Sequence, residues 1–352
     1  MLAECVHVGR ATRWVVCSAT LVALCSVVLS PAAVAISLGG VRITDNLYGT
    51  KFVNAEDGWA VGAFGTIVRT KDGAKSWYPQ VSHTAEHLYS VDFVDIRNGW
   101  VCGRSGLILH TTDAGETWES QRSDSDRHFF KVQAIDKQRA WVVGDWGAIF
   151  ATHDGGKTWE NHSLTRDVIL NSQSWPDATH GWIVGEAGTI IATQDGGATW
   201  TDQASGVQKT LFGVAFADAQ RGWAVGLDGL ILRTTDGGQS WQAQHGDTEV
   251  GALEQVGFAE ALDNPSLYDV AMAGQLGYAV GDIGCVYTTE DGGNTWQRKG
   301  GSGDWSLHWM RAVSMVNGTH GGVVGADGLV LRIEGTRIVA PQKEGHAAET
   351  VH

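Results

Sequence analysis

Apolar and polar positions alternate along this chain in short segments of strand length. The segment LYSVDFVD (88–95) alternates residue by residue, and the apolar runs GWVCG (99–103) and GLILHT (106–111) follow it. A period of two predicts a half-buried strand, and short apolar runs bounded by glycine predict buried strands. With a fourth strand expected after Trp118, the unit predicts one four-stranded antiparallel sheet.

The same unit recurs seven times. The first five copies begin 41 residues apart, and the next two intervals are 55 and 44 residues. A repeat of about forty residues is typical of one propeller blade. The copies are GWAVGAFGTIVRTKDGAKSW (58–77), GWVCGRSGLILHTTDAGETW (99–118), AWVVGDWGAIFATHDGGKTW (140–159), GWIVGEAGTIIATQDGGATW (181–200), GWAVGLDGLILRTTDGGQSW (222–241), GYAVGDIGCVYTTEDGGNTW (277–296) and a worn GGVVGADGLVLRIEG (321–335).

The repeat predicts an all-β fold, a seven-bladed propeller over residues 36–340 with a C-terminal tail at 341–352. In each blade, the alternating segment before the GW pair is the expected inner strand. The last blade is completed by VRI (41–43) or by TRIVA (336–340), and both remain open. The blades are expected to start near residues 47, 88, 129, 170, 211, 267 and 308.

The first six copies end in a TxDxGx[ST]W element between the third and fourth strands, with alanine at the glycine position in the first copy. Aspartate and threonine bond the backbone of a tight turn, glycine adopts the positive φ, and tryptophan covers the neighbouring sheet. A catalytic site is needed once, whereas this element occurs six times, so it is interpreted as structural. Its aspartates are Asp72, Asp113, Asp154, Asp195, Asp236 and Asp291.

The composition agrees, because 47 glycines and 16 tryptophans with only 5 prolines suit many short strands and tight turns. Residues 1–35 differ: Arg10 and Arg13 precede an apolar run that ends in AVA (33–35), which predicts a cleaved secretory signal. A lipid-modified Cys25 is the alternative. The protein is therefore expected to be periplasmic or secreted, or in the thylakoid lumen of a photosynthetic source.

The net charge of the chain indicates which kinds of partner it can bind. The chain carries a net charge of −14, and loss of the signal with Glu4, Arg10 and Arg13 leaves −15. An acidic protein is a poor match for nucleic acid or an anionic membrane, so we expect a protein partner, no nucleic acid, and at most a peripheral association with the membrane. We expect a monomer. Scattered histidines without a ligand spacing predict no metal and no cofactor.

The elements TTDAGETW and its sisters look like the Asp-box of sialidases and related propellers. The full pattern GWxVGxxGxIxxTxDGGxTW, over about residues 45–335, resembles the photosystem II stability and assembly factor family. The resemblance implies an exported, non-enzymatic propeller that binds a membrane-protein subunit during assembly of a complex. That family tends to carry an arginine-rich patch, whereas this chain is acidic, which leaves the identity of the client open.

Residues that bind a partner are expected where the sequence of one blade departs from the repeat. An aromatic residue opens five inner strands, whose alternating faces include Tyr48-Thr50-Phe52, whereas blades four and seven begin with Asn171-Gln173-Trp175 and Arg311. Such polar groups are bonded to neighbours or used by a ligand. The face bearing the second-to-third turns should collect Phe64, Arg104, Asp145, Trp146, Glu186, Asp228, Asp282, Asp327, Trp305 and Trp309, with exposed aromatics among carboxylates. The partner-binding candidates are Phe64, Arg104, Trp146, Asn171, Gln173, Trp305, Trp309 and Arg311.

The insertion at 242–266, between blades five and six, is a further candidate for partner recognition. The alternative function is a sialidase-like glycoside hydrolase or a glycan-binding propeller. That chemistry needs an arginine cluster, a carboxylate acid and an activated tyrosine. Arg69, Arg233 and Arg332 recur at the ends of third strands, where exposed side chains beside the Asp-box turn are expected.

Overall fold

The structure is a computed structural model that describes residues 37–38, 41–245, 264–299 and 305–340. The predicted signal segment, the predicted tail and residues 246–263 of the insertion lie outside the described residues. In the part of the chain that is described, no helix is long and apolar enough to cross a membrane.

Seven four-stranded antiparallel sheets confirm the predicted seven-bladed propeller. In every sheet the strands follow one another in chain order from the axis outward. Each inner strand packs beside the inner strands of two neighbouring blades, and the seventh packs beside the first. A hairpin of β1 (Ser37–Leu38) and β2 (Val41–Arg42) precedes the ring.

The strands of the blades are short. Blades one to four comprise β3 (Leu47–Phe52), β4 (Asp57–Gly62), β5 (Ile67–Lys71), β6 (Tyr78–Gln80), β7 (Leu88–Phe93), β8 (Gly99–Gly103), β9 (Ile108–Thr111), β10 (Glu119–Gln121), β11 (Phe129–Ala134), β12 (Ala140–Gly144), β13 (Ile149–Thr152), β14 (Glu160–Asn161), β15 (Leu170–Ser174), β16 (Gly181–Gly185), β17 (Ile190–Thr193) and β18 (Thr201–Gln203). Blades five to seven comprise β19 (Leu211–Phe216), β20 (Gly222–Gly226), β21 (Ile231–Thr234), β22 (Gln242–His245), β23 (Leu267–Ala273), β24 (Leu276–Gly281), β25 (Val286–Thr289), β26 (Gln297–Lys299), β27 (Met310–Val316), β28 (His320–Gly325), β29 (Val330–Glu334) and β30 (Arg337–Val339). One turn of 3-10 helix joins the second and third strands at Ala63–Gly65, Arg104–Gly106, Glu186–Gly188, Leu227–Gly229 and Ala326–Gly328.

Adjacent blades are joined by an aromatic clamp. The Trp59 ring of blade one stacks on Phe93 of blade two at 3.7 Å between centroids, and Phe93 meets the Asp-box Trp118 edge-on at 5.9 Å. The Trp59 Nε1–H also donates to the carbonyl of Ala114 in the Asp-box of blade two, at 3.3 Å. Stacked and edge-on rings add to the free energy of burial. The same arrangement recurs further round the ring in Trp182, Phe216 and Trp241.

The two glycines of the GWxVG motif make room for this packing. A Cβ on Gly99 would clash with the Phe93 ring, and a Cβ on Gly103 would clash with the carbonyl oxygen of His87. In the worn seventh copy the tryptophan position is Gly322, and the Phe52 ring of blade one occupies the space beside it. The recurring glycines are therefore required by close approach between a second strand and an inner strand.

The ring closes where blade seven meets blade one. Strand β30 pairs with β29, so TRIVA and not VRI supplies the outer strand of blade seven. Across the joint, the Phe52 N–H donates to the Ser314 hydroxyl at 2.9 Å, and the Asp327 N–H donates to the Asn46 side-chain oxygen at 2.9 Å. Blades seven and one are thus held together by these contacts, and blade seven takes all four of its strands from the C-terminal part of the described chain.

The Asp-box side chains are used inside their own turns. In blade four, one carboxylate oxygen of Asp195 accepts from the Thr199 N–H at 2.9 Å and from the Thr193 hydroxyl at 2.7 Å, and the other accepts from the Thr199 hydroxyl at 2.6 Å. Gly196 and Gly197 have φ of +72° and +89°, which glycine adopts without steric cost. The structural interpretation of this element follows from these bonds.

A β-bulge lies at the start of every inner strand. In blade one the register passes from Leu47 opposite Gly62 to Gly49 opposite Val61, which leaves Tyr48 unpaired. The expected alternating face of Tyr48, Thr50 and Phe52 is therefore wrong, because Phe52 is buried between blades while Tyr48 lines the axis. The residues at the bulge are Tyr48, Tyr89, Phe130, Asn171, Phe212, Tyr268 and Arg311.

We predict that the propeller unfolds in acid through its Asp-boxes. Hydrogen bonds from the serine or threonine four residues further on lower the carboxyl pKa from 3.8 to about 2 in Asp154, Asp195, Asp236 and Asp291. A carboxyl group whose pKa is lowered by folding stabilises the folded protein at pH values above its ordinary pKa. This stabilisation is lost as the pH falls to about 2. The urea midpoint should therefore fall between pH 4 and pH 2.

The variant Asp195→Asn is the matched test, because it preserves the shape of the turn but cannot titrate. Its urea midpoint should fall less steeply over the same pH range. A midpoint that stays constant from pH 4 to pH 2 in the unmodified protein would contradict this account.

Candidate functional site

The seven bulge residues surround a pocket on the propeller axis. It has a volume of about 300 Å³, and all seven side chains are half-buried at its wall. Because strands alternate in direction, this pocket opens on the side that carries the second-to-third turns and the connections between blades. We call that side the turn face, and the opposite side the Asp-box face. A bulge re-aims a side chain, and here it directs one residue of each blade to the axis.

Aromatic rings form two arcs of the pocket wall. Trp309 stacks on Tyr48 at 6.0 Å and 8°, Tyr48 lies 5.9 Å from Tyr89, and Tyr89 lies 5.5 Å from Phe130. On the other side of the axis, Phe212 and Tyr268 meet at 5.3 Å. The sequence shows aromatics recurring at this position, but it gives no sign that they converge on one pocket. Asn171 and Arg311 separate the two arcs.

The polar residues of blade four are bonded within the protein. The Asn171 amide donates to the carbonyl of Leu211 at 2.9 Å, which joins blade four to blade five. Gln173 is buried at 2% exposure, donates to the Trp141 carbonyl at 2.8 Å, and accepts from the Trp175 indole at 3.0 Å. The structure therefore does not bring Gln173 to a surface, and its expected contact with a partner is not supported by its position.

Arg311 has no such partner. Its guanidinium carbon lies 4.9 Å from the ring centre of Tyr268, and among the described residues the group makes no hydrogen bond or ion pair. Burial lowers the pKa of Arg311, which means that the charged form is held in an unfavourable environment. The Tyr268 hydroxyl is occupied elsewhere, because it donates to both carboxylate oxygens of Asp282 at 2.9 Å. Burial raises the pKa of Asp282, and burial together with this aspartate raises that of Tyr268 to about 12.

Two ion pairs join residues of different inner strands, and one of these pairs lines the pocket. Lys131 of blade three and Asp269 of blade six approach to 3.9 Å across the axis, and Lys51 pairs with Asp92 at 2.6 Å. Both aspartates also accept from the backbone of the next blade, Asp92 from the Ala134 N–H at 2.8 Å and Asp269 from the Val313 N–H at 3.0 Å. These two carboxylates are therefore already bonded within the protein.

Two turn tips carry exposed aromatic residues. Phe64 is 67% and Trp146 is 59% exposed, and their φ values are +53° and +52°. This tip has a positive φ in every blade, so the conformation belongs to the repeated turn, and the large aromatic side chain is what distinguishes these two blades. The same tip in the other blades carries Ser105, Ala187, Asp228, Ile283 and Asp327. Phe64 also lies 5.3 Å from His87, which connects it to the aromatic arc at Tyr48.

Other residues expected on the turn face are placed differently. Trp305 is buried at 3% exposure, so its predicted exposure is wrong; it packs in a core formed by residues of blades six and seven. Trp309 is half-buried against Tyr48, and the exposed Arg104 lies 3.9 Å from Glu86. Three carboxylates are bonded internally, Asp145 to the His128 N–H, Glu186 to the Ile169 N–H and Asp228 to Lys209, while Asp327 lies 3.6 Å from His308 Nε2.

The three arginines considered for a hydrolase site do not lie together in one pocket. Arg69 is 6% exposed, lies over the Trp59 ring at 5.0 Å and pairs with Asp57 at 2.9 Å, so its predicted exposure is wrong. Arg233 and Arg332 lie on the third strands of other blades, and none of the three lines the pocket. Over the described ranges, no group of three metal-ligating side chains is found. Cys102 and Cys285 are buried and unpaired, and burial raises the pKa of Cys285 to about 11.

A model of one family matches most of the chain. The family is described as photosynthesis system II assembly factor YCF48, and its model matches residues 34–165 and 203–299. The unmatched residues 166–202 form blade four, and blade seven is also unmatched; these are the blades whose inner strands begin with Asn171 and Arg311. No individually curated protein matches the chain.

Solved structures show the same fold. The chain is similar to YCF48 bound to D1 peptide, with a TM-score of 0.67 and 22% identity over 85% of this chain and 96% of that one. It is similar to YCF48 from Cyanidioschyzon merolae, with a TM-score of 0.65 and 20% identity over 84% and 97% of the two chains. The WD40 propeller domain of Doa1 gives a TM-score of 0.64 at 14% identity over 83% and 93%.

Two tryptophan substitutions should separate core from surface. Trp305→Ala removes a buried side chain from blade seven and is expected to destabilise the protein by about 3–5 kcal/mol. Trp146→Ala removes an exposed side chain and should change the free energy of unfolding by less than about 0.5 kcal/mol. Urea unfolding followed by tryptophan fluorescence measures both. Equal losses in the two variants would contradict the burial described here.

Proposed function

Because this chain belongs to the photosynthesis system II assembly factor YCF48 family, we propose that it is an exported, non-enzymatic scaffold that binds a subunit of a membrane complex during assembly. The turn face is the binding surface in this proposal. One of the similar structures is of a YCF48 bound to D1 peptide, so a polypeptide from a membrane complex is the kind of partner we propose here.

The observation that carries the proposal is the aromatic surface on the turn face. The half-buried arc from Trp309 to Phe130 is continuous with the exposed Phe64, through His87. Aromatic side chains dominate binding energy at protein interfaces, because they bury a large area with few rotatable bonds. On a protein with a net charge of −14, an apolar patch favours a polypeptide partner over an anionic membrane surface.

The proposed location follows from the sequence. The apolar run behind Arg10 and Arg13 would direct export, and the mature propeller would then meet its partner on the outer side of the membrane in which the complex is built. In a photosynthetic source this space is the thylakoid lumen, and in other bacteria it is the periplasm. Immunodetection in fractionated cells tests this part of the proposal.

We predict that the turn face retains a membrane-complex subunit in an affinity pull-down from native membranes. The variant carrying Phe64→Ser, Trp146→Ser and Trp309→Ser should lose at least tenfold in retained partner, because central aromatic residues typically contribute 2 kcal/mol or more each. Mass spectrometry of the retained proteins identifies the subunit and its amount.

The matched control lies on the opposite face, where Tyr78 and Ile96 are 49% and 42% exposed. The double variant Tyr78→Ser, Ile96→Ser should retain the subunit as the unmodified protein does. If the unmodified protein retains no membrane subunit, or if the turn-face variant retains as much, the proposed function is wrong, and binding to a glycan panel becomes the next test.

A further inference from the structure

The Arg311 guanidinium has N–H donors that are not bonded to any described residue. It is half-buried at the bulge of blade seven, beside the Tyr268 ring, and it makes no hydrogen bond or ion pair within the described residues. Its five N–H donors form a planar fork that fits two oxygens of one acceptor. Burying an unpaired charge is costly, so an anion that reached this group would gain more than it would from an exposed arginine.

The surrounding charges favour a carboxylate over a phosphate. Asp269 and Asp282 are carboxylates whose charge acts on Arg311, and both are already bonded, Asp269 to the Val313 N–H and Lys131, and Asp282 to the Tyr268 hydroxyl. A dianion would be repelled by both aspartates while it gained one guanidinium. A carboxylate carries a single charge, and its two oxygens match the fork.

The rings define what is attached to that carboxylate. Tyr48 lies on one side of Arg311 and Tyr268 on the other, with Tyr89 and Phe212 next along the wall. Lys131 and Asp269 also line the pocket, and they approach each other to 3.9 Å. The pocket therefore offers one unpaired charged side chain and an aromatic wall, which suits a carboxylate with an apolar side chain next to it.

We propose that the central pocket is a carboxylate-binding site, in which Arg311 binds a carboxylate of the partner polypeptide while the aromatic wall contacts the neighbouring apolar residue. This inference rests on the proposed function, since it names what the turn face recognises. It concerns blade seven, which lies outside the residues matched by the family model.

Three short peptides test the proposal by isothermal titration calorimetry. They are acetyl-alanyl-leucyl-phenylalanine with a free carboxylate, the same peptide as its C-terminal amide, and the amidated peptide with glutamate in place of leucine. At least one carboxylate peptide should bind at least tenfold more tightly than the uncharged amide, as expected for a hydrogen-bonded charge. Whether the free acid or the glutamate peptide binds better identifies a chain terminus or a side chain as the source.

The variant Arg311→Gln should bind all three peptides equally. The control Arg221→Gln removes the same charge from the Asp-box face, where Arg221 is exposed and pairs with Asp218 at 2.7 Å, and it should keep the tenfold preference. If Arg311→Gln does not fold, Arg311→Lys is the second variant. It keeps the positive charge but lacks the planar guanidinium, so it should reduce the preference for a carboxylate peptide over the amide.

Any one of three results would overturn the inference. They are equal binding of acid and amide by the unmodified protein, no binding of any carboxylate peptide at millimolar concentration, and an unchanged preference in Arg311→Gln. The proposed function fails separately. A membrane subunit retained by the unmodified protein, together with no carboxylate preference, would contradict only the inference; a carboxylate preference with no retained subunit would contradict only the proposed function.

Discussion

The contact between neighbouring blades is the constraint on which this structure depends. A second-strand tryptophan stacks on an inner-strand ring of the next blade, and an Asp-box tryptophan meets that ring edge-on, as in Trp59, Phe93 and Trp118. A single four-stranded sheet has two apolar faces and cannot bury them alone, so each blade requires both neighbours. The ring must therefore close, and at the joint, where Gly322 replaces the tryptophan, hydrogen bonds accepted by Ser314 and Asn46 take part in closing it.

The same repetition creates the candidate site. Every inner strand begins with a bulge, and sevenfold repetition of that bulge brings seven side chains to one mouth of the axis. Most blades use the position for an aromatic ring, which gives an apolar wall. Blade seven uses it for Arg311, which in our proposal gives the pocket its preference for a carboxylate. The residues that the blades share thus form the framework, and blades four and seven differ from the others at the pocket, with Asn171 and Arg311.

Much of the fold could be predicted from the sequence, because the repeat period, the Asp-box residues and the alternating strands each have a direct physical meaning. The placement of single side chains could not. The bulge at Tyr48 shifts the alternation by one residue, and no sequence signal marks it. Trp305 and Gln173 are buried by contacts with other strands, and Arg69 is covered by Trp59 of its own blade. Such burial depends on packing between strands, which a local pattern does not contain.

The central claim is that the turn face, and not the Asp-box face, contacts the partner. Photo-crosslinking in native membranes tests it directly, with benzoylphenylalanine in place of Phe64 on the turn face or of Tyr78 on the Asp-box face. Both positions are exposed, at 67% and 49%, so reactivity does not differ for lack of access. The account predicts an adduct with one membrane-complex subunit from position 64 and none from position 78. An adduct from position 78 alone would contradict it.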